Sequence, residues 1–207
     1  MLTPDFPGRD QRPKPICLEF TNTMRWHASE RPDETLRSYA DLVAWAQAAG
    51  VASVRLARHL LSQAKENTAD ADLALTRAIS LREAIYRIFL ALMNGKTTQA
   101  TDLDELNGAI SRLTGGVQLV RAREEFAWEW RVDEEALDSF LWPIALSAVE
   151  LLLSEDRHWV GQCADDRGCG WLFLDTSKNH SRRWCDMNDC GNRAKQRRLQ
   201  ERRHQRA

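Results

Sequence analysis

Four of the five cysteines cluster near the C-terminus, Cys163, Cys169, Cys185 and Cys190, in the pattern C-x5-C-x15-C-x4-C. A segment of roughly forty residues cannot bury much surface, so this pattern constrains its fold more than any apolar period does. Thiolates are soft ligands that suit tetrahedral zinc, and two separated pairs make a closed structural site with no open position for catalysis. Iron–sulphur chemistry is a minor alternative, because the short ferredoxin-like spacing is absent. His158 and His180 are substitute ligands, outranked by four cysteines already at hand. In a reducing compartment such a cluster holds metal more often than it forms disulfides, and the metal supplies folding free energy.

The fourth cysteine opens a helix-forming run crowded with arginine. Residues 178–207 carry ten Lys or Arg against three acids, a net +7. From Arg193 onward the single acid Glu201 faces eight basic side chains when His204 is counted. Leu199 is the only large apolar residue after Gly191, so the helix is mostly solvated. Solvated helices ordinarily interleave acids with bases; this one does not, which points to phosphate as the partner. Arg193, Lys195, Arg197, Arg198, Arg202 and Arg203 are the candidate nucleic-acid contacts. The formal net charge of the whole chain, -1, hides the asymmetry, since residues 1–160 carry -6 and residues 161–207 carry +5.

Upstream the pattern is mainly helical. Residues 1–14 are polar and proline-rich, a flexible lead rather than a signal peptide. Residues 16–20 alternate and read as a short strand. Pro32, Asp33 and Glu34 look like the start of a helix that Gly50 stops. Further helices are expected over about 52–65, 70–93 and 103–113. Residues 117–131 change period and suggest a β-hairpin turning over 121–125, with Phe126, Trp128 and Trp130 on one face. A helix over 133–153 should be kinked or divided by Pro143. The most apolar stretch, residues 140–153, is too short and too broken to span a bilayer. The boundary falls at the polar passage 154–158, giving a helical domain over 15–155 and a cysteine module over 156–207. Within the module, residues 171–175 form a strand, a hairpin crosses between the cysteine pairs, and Asn188 or Asp189 caps the last helix. The fold class is therefore mainly α, with a small β-hairpin and a treble-clef-like four-cysteine zinc module ending in a basic helix. Since most apolar mass precedes Ser154, zinc removal is expected to unfold the module and leave the helical domain mostly intact.

The segments Cys169-Gly170-Trp171-Leu172-Phe173-Leu174-Asp175, Ser181-Arg182-Arg183-Trp184-Cys185-Asp186-Met187 and Cys190-Gly191-Asn192-Arg193 resemble the bacterial CGNR zinc-finger family. Cys17-Leu18-Glu19-Phe20-Thr21-Asn22-Thr23 and Tyr39-Ala40-Asp41-Leu42-Val43-Ala44-Trp45 resemble the ABATE-type domain that accompanies it. The resemblance implies a stress-induced transcription regulator that binds DNA, with Cys163, Cys169, Cys185 and Cys190 as zinc ligands. Asn192 and Arg193 carry two readings, bracing the knuckle or touching DNA. The acidic loop 164–168 would repel phosphate, so DNA contact is expected on the opposite, helical side.

No phosphate-cradling glycine loop, HExxH or G-x-S-x-G occurs, so no recognisable catalytic set is present. Glu19, Asn22, Trp26 and His27 are close in sequence and form a candidate small-molecule pocket. The leading expectation is a cytoplasmic, nucleoid-associated DNA-binding regulator with one structural zinc, open to an effector and to homodimerisation. The alternatives are a protein–protein or RNA-binding adaptor and, further off, an enzyme or small-molecule sensor using the N-terminal pocket.

Overall fold

The computed structural model describes residues 14–112, 117–122, 125–130 and 136–204. The lead expected over 1–14 lies outside them apart from Lys14, as do Arg206 and the start of the helix expected from residue 133.

Ile16–Thr21 form a helix, α1, and not the expected strand. Its buried residues, Cys17, Leu18, Phe20 and Thr21, follow helical rather than alternating spacing. The apparent alternation came from Glu19 alone, while the segment is wedged between helices and a strand that cover it on several sides. Thr21 and Thr23 donate their hydroxyls to Leu18 and Phe20 carbonyls, each at 2.8 Å, closing the helix end. Two short strands follow, β1 (Met24–Arg25) and β2 (Asp33–Glu34), paired antiparallel. The helix expected from Asp33 therefore begins later, as α2 (Tyr39–Ala48). Its cap is Ser38, whose hydroxyl accepts from the Asp41 amide, and Asp33 and Glu34 serve strand pairing and ion pairs instead.

Helix α3 (Val54–Glu66) is capped by the Ser53 hydroxyl at 3.1 Å. The longest helix, α4 (Thr68–Met93), is the spine: α1, α2, α3 and α5 (Ala100–Ser111) all pack on it. Ala71, Ala74 and Ala78 admit close neighbours, while Leu81, Ile85, Ile88 and Phe89 are at most 1 % exposed and fill the core. Each such large side chain contributes about 1.5–3 kcal/mol through burial. A hairpin, β3 (Val117–Ala122) with β4 (Glu125–Trp130), carries its ladder through Arg121↔Phe126 to Ala122↔Glu125, beyond the turn expected over 121–125. The expected face of Phe126, Trp128 and Trp130 lies outside what is described.

Helix α6 (Trp142–Leu153) starts after a 3-10 turn at Ser139–Leu141. Pro143 sits in its first turn, where a missing N–H costs nothing, so the proline begins the helix rather than kinking it. After a second 3-10 turn, Glu155–Trp159, come β5 (Val160–Gln162) and β6 (Leu172–Leu174), paired Val160↔Leu174, Gly161↔Phe173 and Gln162↔Leu172. This corrects the expected hairpin between the cysteine pairs: β6 pairs upstream, so Cys163 and Cys169 occupy the hairpin's own loop. Val160 and Leu172 join the same apolar core as α1, α4 and α6. The chain ends in a π-helical turn, Met187–Gly191, that runs directly into α7 (Asn192–His204). Among the described residues no helix is long and apolar enough to cross a membrane.

Candidate metal centre and basic helix

The β5–β6 loop brings the first two cysteines together. The Cys163 amide donates to the Trp171 carbonyl at 2.8 Å, and Gly168 and Gly170 turn the chain with φ of +85° and +69°. The second pair comes from the far side. The Ala164 amide donates to the Arg183 carbonyl at 2.9 Å, drawing the residues before Cys185 inward, and the π-turn delivers Cys190. The cap of that turn is Asp186, whose carboxylate accepts from the Asn188 amide at 2.6 Å, in place of Asn188 or Asp189.

The four Sγ atoms all lie within 4.8 Å of one another. Cys169–Cys185 and Cys185–Cys190 are each 3.7 Å apart. A tetrahedral zinc with Zn–S bonds of about 2.3 Å requires sulfurs about 3.8 Å apart, and a disulfide requires about 2.05 Å. The donor set fits a metal and not a disulfide. Thiols this close oppose one another's ionisation. Hydrogen bonds from Cys169 and Cys185 draw the Cys163 thiol down. Cys185, a donor in those contacts, is pushed up, and desolvation pushes Cys190 up to about 12. A dication among them removes that opposition. No histidine belongs to the group: His180 stacks on Trp159 at 3.4 Å, and His158 pairs with Glu155.

Around the sulfurs stands a shell of side chains. Arg193 donates to Cys190 Sγ at 2.9 Å, faces Asp165 at 3.4 Å and pairs with Asp189. Asp165 has a fully buried carboxylate; burial opposes its charge, yet hydrogen bonds from Arg167 hold it below its ordinary value. Asn192 donates its amide to the Asn188 carbonyl at 3.0 Å. Both residues with two readings are thus engaged inside the module. At Gly191 an added Cβ would lie 3.1 Å from Met187 Sδ, so the exposed methionine would have to shift slightly. Trp171 and Trp184 pack against the cysteines.

Sequence reasoning missed how tightly the helical segment holds this loop. The His27 and Ala28 amides donate to the Cys169 and Gly168 carbonyls at 3.1 and 3.2 Å. Asn22 both accepts from the Leu172 amide at 2.8 Å and donates to its carbonyl at 2.9 Å, completing the edge of β6. Trp26, at a φ of +54°, packs on the cysteine cluster beneath the Arg167 and Arg193 guanidiniums. His27 bonds Glu83 at 2.9 Å and stacks on Tyr86 at 3.6 Å. The Tyr86 hydroxyl donates to Gly170 O at 3.1 Å. Glu83 in turn pairs with Arg82, which is 0 % exposed and grips Glu34 through two bonds of 2.7 and 2.6 Å. Of the four expected pocket residues, Glu19 and Asn22 line one cavity together, and Trp26 and His27 belong to this seam. The one available sequence signal was the pair of glycines at 168 and 170.

The basic helix has two faces. With about 100° per residue, Arg193 and Arg197 project together, and Lys195, Arg198, Arg202 and Arg203 share an arc of about 140° on the opposite side. The inner arginines meet the acidic loop, Arg193 at Asp165 and Arg197 at Asp166 at 2.5 Å. The four outer cations are exposed and carry no ion pair among the described residues; Arg198 lies 6.0 Å from the Trp184 ring.

Two family models account for these features. Residues 160–203 match the CGNR zinc finger. Residues 14–155 match ABATE, described as "Putative stress-induced transcription regulator". Both are of regulatory or zinc-finger type and neither is a catalytic domain. Among curated proteins none matches the chain. With its helical body and its four-cysteine module each matched in turn, the chain belongs to the ABATE family and carries a CGNR zinc finger at its C-terminal end.

Proposed function

We propose that the protein is a zinc-containing, DNA-binding transcriptional regulator, in which residues 156–207 hold DNA and residues 15–155 form the regulatory body. One zinc sits among Cys163, Cys169, Cys185 and Cys190 as a structural ion. The observation that carries the reading is the division of α7 into an inner face clasped by the acidic loop and an outer face of uncommitted cations. Arg193 and Arg197 fix the helix on the metal knuckle. Lys195, Arg198, Arg202 and Arg203 neutralise phosphates, a contact that positions the protein without reading sequence.

Duplex titrations at several salt concentrations test this. Each outer residue changed to alanine weakens binding to all sequences alike and lowers the salt slope by about 1. The quadruple variant nearly abolishes non-specific binding and keeps its zinc, since none of the four is a ligand. Unchanged affinity in that variant removes nucleic acid from α7 and leaves an adaptor function in its place.

A further inference from the structure

Between α1 and β6 lies a cavity of about 630 Å³, a size ordinary for small-molecule sites. Three aromatic side chains line it among aliphatic and polar ones: Trp45 from α2, and Trp171 and Phe173 from the cysteine module. Most polar groups around it are already committed. The Trp171 indole N–H donates to Met24 O at 3.0 Å, and Asn22 is held by Leu172. The Thr35 hydroxyl donates to Thr23 O at 2.6 Å. Arg182 lies over the Phe173 ring at 4.6 Å and donates to the Trp184 and Cys185 carbonyls. Arg25 is offset by Asp33 at 3.5 Å, and Lys14 stands exposed at the rim. The other carboxylate in the lining, Asp186, is exposed and accepts from the Asn188 amide at 2.6 Å. Glu19 differs from these. It is half-buried on α1 and lines the cavity, and its carboxylate has no hydrogen-bond or ion-pair partner among the described residues.

From this arrangement we infer that the cavity binds a lipophilic organic cation, an apolar aromatic body bearing one positive charge. Ring faces attract a cation through their quadrupoles, and the uncommitted Glu19 carboxylate supplies the counter-charge in a partly desolvated setting. An anionic ligand finds no such partner, because the two arginines are engaged and Lys14 is in solvent. The ligand bridges α1 to the Cys185–Asp186 end of the metal module, both of which line the same cavity. The site does not depend on whether α7 holds DNA.

The test uses the full-length, metal-loaded protein and two probes of matched shape and opposite charge, tetraphenylphosphonium and tetraphenylborate. Calorimetry without DNA gives saturable binding of the cation at one site per chain, with quenching of tryptophan fluorescence. Glu19→Gln weakens that binding about tenfold or more, as neutralising one member of a desolvated charge pair does. Glu66→Gln, an exposed carboxylate on α3, leaves it unchanged. Circular dichroism verifies that both variants are folded. Equal affinity for the borate, no saturable phosphonium binding, or an unaltered affinity in Glu19→Gln overturns the assignment.

Discussion

Replacing Gly170 by alanine tests whether the metal loop is docked on the helical body or merely tethered to it. At Gly170 φ is +69°, a conformation that costs an L-residue about 1–2 kcal/mol. The added Cβ would lie 2.6 Å from the Ala28 amide nitrogen, 2.7 Å from Ala28 Cβ and 3.1 Å from the Tyr86 hydroxyl. The two nearest atoms are backbone and a short side chain, so neither can swing away. Overpacking of this kind adds about 1–3 kcal/mol. Undocking does not avoid the cost, because it breaks the amide bonds from His27 and Ala28, each worth about 1 kcal/mol net. Gly50 is the control: its φ is +74°, and its Cβ would meet nothing within 4 Å. Gly50→Ala therefore carries the backbone term alone. Urea denaturation of both variants should show Gly170→Ala less stable than Gly50→Ala by about 1–3 kcal/mol, or about 2–12 °C in Tm for a chain of this size. Equal losses in the two would mean that the loop moves freely away from Ala28, and the docking argument would fail.

The same seam predicts that metal and body depend on each other, against the expectation from the sequence that the helical domain outlasts zinc removal. Purified protein should contain close to one zinc per chain, Cys185→Ser should lose it, and chelation should lower the melting of the helical signal as well as that of the module; a helical transition unmoved by chelation would refute the coupling. Arg82→Met leaves Glu34 and Glu83 facing each other without their buried cation and should cost about 3–5 kcal/mol in urea titrations, whereas a loss below about 1 kcal/mol would show the pair to be solvated. Burial opposes the charge on Glu34 and Glu83, but hydrogen bonds from Arg82 and the Leu36 amide to Glu34, and from His27 and Arg82 to Glu83, hold both carboxyls below their ordinary value of 4.5. A depressed carboxyl contributes stability that is present above the unfolded value and lost as pH falls through the folded one. Thermal melts should therefore fall as pH drops below about 4.5, less steeply in Glu34→Gln, and identical slopes would contradict the assignment.

What could be seen in the sequence was whatever repeats locally. The helices α3, α4 and α5 follow their apolar periods to within a few residues, because a period reports the face that will be covered. Individual apolar positions still depart from that face: Val54 and Leu92 are 51 % and 41 % exposed near the ends of their helices. The cysteine cluster was legible because metal geometry demands specific residue types at separated pairs. Segments ruled by distant partners were not legible. The strand expected at residues 16–20 is a helix because several elements cover it, and Asp33 and Glu34 are strand residues because Arg25, Arg37 and Arg82 lie opposite them. The pairing of β5 with β6 was hidden because three residues on each side give no period to read.

The least legible feature bears most on how the module works. The apolar cluster at the cysteines consists of buried Cys163, Cys169 and Cys190, with Trp171, Trp184 and Cys185 partly buried against them, and Trp26 joins it from the other end of the chain. A core this small cannot hold its shape without metal. Here, in addition, it borrows a tryptophan, two backbone donors and the α4 tyrosine from the helical body. Arg193 then joins that borrowed wall to the cysteine cluster, lying over Trp26 while donating to Cys190 Sγ. Because α7 begins two residues after Cys190, its direction is set by the same contacts. Trp26, Arg193 and Cys190 thus form one run of contacts from the helical body to the first turn of α7.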